Sequence, residues 1–146
     1  MNLTQFASHR SRRTRNTGKG LESLVLASQG DVVLLKVPNG VQYLPGGKTV
    51  PKAGPVDFVG LHLPTKRMVI LDAKQCDLVH RFPVGNTSSV KPHQIAELIR
   101  FGEAGAVSGL LIESTRHRRL HWLPWQMLMR CPPSYPWASI PEIGPS

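Results

Sequence analysis

Asp72 and Lys74 flank Ala73 at the end of an aliphatic run, Met68-Val69-Ile70-Leu71, whose length and β-branching are those of a buried strand. Residues two apart in an extended chain share a face, so this carboxylate and ammonium project together while Ala73 points away. Upstream, Asp57 follows a Gly54-Pro55-Val56 entry, and Gly60 with Pro64-Thr65-Lys66 supplies a turn that folds the two segments into a hairpin. Asp57 then lies beside Asp72. Two carboxylates and a lysine converging at strand ends suit hydrolysis of a phosphate ester: acidic oxygens hold Mg²⁺, the ion offsets phosphate charge and polarises a water, and the lysine orients that water. A surface hairpin with a salt bridge accounts for the same residues, and Asp-x-Lys alone does not choose between the two.

The chain that must position these groups has 146 residues and 40% hydrophobic content, enough for a single domain with a real core. Eighteen Lys and Arg against nine Asp and Glu give a net charge of +9, which favours a polyanionic partner, nucleic acid first. No apolar run approaches the roughly 20 residues of a membrane span, and Met1 to Gly20 lacks the apolar centre of a signal peptide, so the expected setting is cytoplasmic and away from membranes. Cys76 and Cys131 are isolated and suggest neither a zinc site nor a disulfide.

Along the chain, residues 1–16 form a basic arm whose Arg10, Arg12, Arg13 and Arg15 carry no apolar periodicity and suit a phosphate backbone. Asn16 or Thr17 starts a helix through Gln29 with Glu22 in its first turns. A strand at Asp31 to Val37 precedes a glycine- and proline-rich excursion over about 38–54 whose only charges are Lys48 and Lys52, and long ordered loops of this kind are often functional. A further strand is expected near Leu78 to Val84. Pro92 opens a helix with Ile95, Leu98 and Ile99 on its buried face, and strands follow at Ala106 to Ile112 and Arg119 to Leu123. Arg116 and Arg118 lie in a basic turn between those strands. Residues 126–146, rich in prolines and aromatics, read as a tail packed over the core without regular structure. The order of elements gives an α/β fold, a mixed β-sheet flanked by helices, with residues 17–125 as its body.

Five short segments in order, Gly18-Lys19-Gly20-Leu21-Glu22, Val56-Asp57-Phe58 with Gly60, Asp72-Ala73-Lys74, His93-Gln94, and Gly105-Ala106-Val107 through Leu111-Ile112, resemble the RecU-type Holliday junction resolvases of the PD-(D/E)XK nuclease superfamily, in the phage-encoded size range. The resemblance spans about residues 10–125. It implies a restriction-endonuclease-like fold, a homodimer, dependence on Mg²⁺ with Mn²⁺ as a substitute, and paired nicks in a four-way DNA junction. Carried over by residue, it makes Glu22, Asp57 and Asp72 metal ligands with the Ala73 carbonyl, gives Lys74 the attacking water, and brings Gln94 to the site. It matches Arg10, Arg12, Arg13 and Arg15 to a basic DNA-binding arm and the 38–54 excursion to a stalk entering the junction; Lys19, Lys48, Lys52, Arg116 and Arg118 are the further basic residues expected to contact DNA, with a solvated loop as the alternative for the last two. Asp72 stands where Glu is commoner, and the excursion is short for such a stalk. A nuclease of the same superfamily acting on another DNA structure, and a non-enzymatic DNA-binding module, remain the alternatives.

Overall fold

The computed structural model describes residues 31–38, 40–52, 56–84, 90–130 and 132–145. The expected first helix, with Glu22, and the arm bearing Arg10, Arg12, Arg13, Arg15 and Lys19 lie outside them, as does Cys131.

A six-stranded mixed sheet forms the body. Its strands are β1 (Val32–Lys36), β4 (Phe58–His62), β5 (Arg67–Cys76), β7 (Val107–Ser114), β8 (Arg119–Pro124) and β10 (Glu142–Pro145), adjacent in that order. The pair β5 and β7 is parallel and every other pair antiparallel. A parallel pair needs a crossover. Helix α1 (Pro92–Glu103) supplies it: Pro92 sits in the first turn, and the Lys91 N–H donates to Gln94 Oε1 at 3.1 Å to close the helix start. The Ser108 hydroxyl donates to the Leu98 carbonyl at 2.6 Å, fixing the helix over β7.

Period-two alternation sends the two central strands into two apolar layers. Val69 and Leu71 join Val32, Leu34, Phe58, Leu111 and Leu120 on one face. Ile70 joins Leu110, Ile112 and Leu123 on the other, against Leu98 of α1 and against Phe82, Tyr135, Trp137 and Ile140. The last three belong to the C-terminal segment, which is more regular than its sequence suggests. It contains helix α2 (Trp125–Leu128), strand β9 (Ser134–Pro136) paired with β6 (Arg81–Pro83), a single helical turn at Trp137–Ser139, and β10 on the sheet edge. Prolines mask this pattern but are tolerated at edges and strand ends, where an N–H has no partner to serve.

The 38–54 excursion contains a separate two-stranded arm, β2 (Gly40–Tyr43) against β3 (Thr49–Lys52), with glycines at positive φ, Gly46 and Gly47, in its turn. Gly60 is not part of the turn between β4 and β5, which runs through Leu63 to Lys66. It lies inside β4 opposite Leu34, where a Cβ would collide with the Val33 carbonyl oxygen. The glycine lets β1 approach. Gly60→Ala is therefore expected to destabilise the fold by about 1–3 kcal/mol through overpacking against backbone, measured as a lower urea midpoint.

Candidate active site

Sequence places Asp57 immediately before β4, and the β4–β5 register, Phe58 opposite Leu71, sets it across from Asp72. The two aspartates interlock through their backbones. The Asp57 N–H donates to Asp72 Oδ1 at 2.6 Å, and the Ala73 N–H donates to Asp57 Oδ2 at 3.0 Å. The Asp57 carbonyl accepts from the Val37 N–H at 2.8 Å, which anchors the same residue to the end of β1. Both carboxylates are thus oriented by main chain. Rotating either one away would strand a buried N–H.

Beyond this point β4 has not begun while β5 runs on through Lys74 to Cys76, bordered by β7 alone in the sheet. Lys74 shares the face of Asp72 and is half-buried, so the residues expected to act together do share one edge. The apolar pattern ends the strand at Leu71; Asp72 and Lys74 nevertheless lie inside it, because β7 extends the pairing as far as Cys76 opposite Ser114.

Asp72 is fully buried, and its second oxygen, Oδ2, has no hydrogen-bond partner. Burial above all, and then the neighbouring Asp57 carboxylate, push its carboxyl up to about 7, against the opposing pull of the Lys74 ammonium and the Asp57 N–H. An orphaned buried carboxylate oxygen beside a second carboxylate is the donor set that a hard divalent cation satisfies. Asp57, Asp72 and the Ala73 carbonyl are the described groups that could hold one. No three His, Cys, Asp or Glu side chains converge among the described residues, so any further acidic ligand has to come from elsewhere, as the resemblance assigns to Glu22.

The other expected site residues make contacts of their own. Gln94 gives its side-chain carbonyl to the start of α1. Lys48 lies in the arm turn, where its carbonyl accepts from the Leu44 N–H at 2.8 Å, and Lys52 ends β3. Arg116 and Arg118 are exposed in the β7–β8 turn, with Arg118 at φ 52°. One pair escapes sequence reasoning: Gln75 Nε2 donates to Glu113 Oε1 at 2.7 Å on the face opposite Asp72. Its only signal is the register, since Gln75 and Glu113 face each other across β5 and β7.

No family profile and no curated protein matches the sequence. Among solved structures the chain is similar to Hjc, a Holliday junction resolvase from the archaeal hyperthermophile Archaeoglobus fulgidus, with a TM-score of 0.51 and 17% identity over 86% of this chain and 91% of that one. The protein has the same restriction-endonuclease-like fold.

A folded-state pKa near 7 for Asp72, against an ordinary value of 3.8, means that the fold binds the proton more tightly than the unfolded chain. Stability is then greatest below about pH 4, falls as pH rises towards 7, and stays lowered above that, by a ceiling on the order of 4 kcal/mol. In chelator at pH 8, Asp72→Asn is expected to raise the melting temperature by several degrees, and the gain should shrink at pH 5. A loss of stability at pH 8 would contradict the strained carboxylate.

Proposed function

We propose that the protein is a metal-dependent endodeoxyribonuclease of the PD-(D/E)XK superfamily that cuts four-way DNA junctions, in the manner of the RecU-type resolvases. The observation that carries this reading is the interlocked Asp57–Asp72 pair with its unpartnered oxygen, at the edge where Lys74 emerges. The net charge of +9 fits a polyanionic substrate, and the structural neighbour is itself a Holliday junction resolvase.

In this reading Asp57 and Asp72 hold Mg²⁺, or Mn²⁺ in its place, with the Ala73 carbonyl and with Glu22 from the first helix. The bound ion supplies Lewis acidity to the scissile phosphate and lowers the pKa of water. Lys74 orients the attacking water and balances charge on the phosphate, carried on β5 two residues beyond Asp72 and on the same face. Asp57 and Asp72 keep their geometry during the reaction because backbone N–H groups position them. Gln94 approaches from α1. The arginines of the N-terminal arm, Lys19, Lys48, Lys52, Arg116 and Arg118 hold the DNA backbone, and the β2–β3 arm enters the junction.

Paired nicks require two sites related by a two-fold axis, hence a homodimer. The sheet offers a surface for it. Val33, Leu61 and Met68 form one cross-strand row on β1, β4 and β5, and Leu35 lies in the next row; their exposures are 47%, 37%, 46% and 68%. Helix α1 covers the same face farther along, over β5 and β7, and leaves these residues open.

With Mg²⁺, the protein is expected to make symmetric paired nicks in a four-way junction and to spare linear duplex. Lys74→Ala should lower the single-turnover rate by about 10²-fold or more while junction binding changes little. Equal cutting of duplex, nicked and flap DNA would retain the nuclease and discard the resolvase; binding with no cutting in any divalent metal would leave an architectural module. Leu35→Glu should convert a dimer to a monomer in light scattering, and an unchanged mass would remove this face from the interface.

A further inference from the structure

A cleft of about 410 Å³ opens two strands away from Lys74, lined by His80, His117, Arg119, His121, Trp137 and Glu142 among others. Strand register ties it to the candidate active site. Lys74 pairs with Ile112, Ile112 with His121, and His121 with Glu142, so these residues form one row across β5, β7, β8 and β10. Directly opposed residues share a face, and neighbouring strands lie about 4.8 Å apart, which puts the backbone of His121 about 10 Å from that of Lys74. That span is roughly three stacked base steps of about 3.4 Å.

The chemistry of the lining is that of a site for a flat, uncharged, hydrogen-bonding ring. Trp137 forms the inner wall, tilted against His121 at 5.0 Å and against Phe82 at 5.8 Å, with the exposed His117 ring edge-on at 6.4 Å. The tautomers follow from the partners. His117 Nε2–H donates to the Val79 carbonyl at 2.6 Å, and His121 Nδ1–H donates to the Ile140 carbonyl at 3.1 Å. The neutral His121 ring therefore keeps its Nε2 as an acceptor. Burial holds His121 below the ordinary histidine range, which preserves that neutral form. Glu142 adds a carboxylate, with Arg119 Nε 3.4 Å from its Oε1. A free phosphate would meet this carboxylate, and the imidazoles do not converge as metal ligands. A ring that donates both hydrogens of an exocyclic amine fits the two acceptors of this lining, the His121 nitrogen and the Glu142 carboxylate.

We propose that this cleft takes one unpaired nucleobase bearing an exocyclic amine, adenine, cytosine or guanine rather than thymine, from the strand within about three nucleotides of the scissile phosphate. The inference rests on the reading of the protein as a DNA nuclease. Adenine N6, cytosine N4 and guanine N2 present the amine that thymine lacks, and the exposed His117 ring supplies a stacking surface.

The test uses fluorescein-labelled duplexes carrying five-nucleotide single-stranded tails of dA, dC or dT, with binding followed by anisotropy in calcium and cutting followed separately in Mg²⁺. Wild-type protein is expected to bind dA or dC tails about 10-fold more tightly than dT. Glu142→Ala, at an exposed position, should erase that preference without weakening the dT complex, and His117→Ala should weaken all three tails alike through lost stacking. Equal affinity of the wild type for the three tails, or a preference that survives Glu142→Ala, overturns the proposal. Preference without cutting of any DNA would sink the nuclease reading and uphold the cleft; cutting without preference would sink the cleft alone.

Discussion

The fold turns on a reciprocal clasp at the mouth of the sheet. Asp57 receives the Ala73 N–H on its carboxylate and gives its own N–H to the Asp72 carboxylate, so the residue just before β4 is locked at two points to the middle of β5. The clasp closes the β4–β5 hairpin where β4 begins and fixes two negative groups face to face. Such an arrangement opposes stability, since two carboxylates held together in a buried place favour protonation of one of them. A site that keeps this conflict in its resting state is one in which a cation can relieve it.

The remaining elements provide the rigidity that holds the clasp. Central strands β5 and β7 are buried on both faces between Ile70, Leu71, Leu110 and Leu111, so the strand that carries Asp72 and Lys74 has no freedom to shift register by even one residue. The C-terminal segment contributes to the same end. Trp137 gives its indole N–H to the Leu78 carbonyl at 2.9 Å, and Tyr135 donates to the Met127 carbonyl at 2.8 Å, tying the strap that leaves β5 to the far edge of the sheet. The acidic pair and the imidazole-lined cleft are therefore two parts of one stiff surface.

Much of this is legible in the residues themselves. Met68 to Leu71 reads as a buried strand because apolar, β-branched residues recur without interruption, and Pro92 with Ile95, Leu98 and Ile99 marks the crossover helix by its cap and its period. Asp57 beside Asp72 follows from hairpin geometry. What the residues do not announce depends on distant contacts. Gly60 resembles a turn residue, and only the approach of Val33 shows that it is a strand residue lacking a side chain for steric reasons. The order of the C-terminal segment is hidden because β9 and β10 gain their pairing from Arg81 to Pro83 and from β8. The clasp itself uses backbone N–H groups, which no residue type reveals.

The most direct test of the central claim is calorimetric titration of the full chain with Mn²⁺ at pH 7, repeated in buffers of different ionisation enthalpy to count protons. A carboxyl with a pKa about 7 is half protonated there, so binding between Asp57 and Asp72 should release roughly half a proton per site, with the release fading by pH 9 and absent in Asp72→Asn. Binding with no proton release at pH 7, or equal binding by Asp72→Asn, would show that the ion does not seat on the clasp.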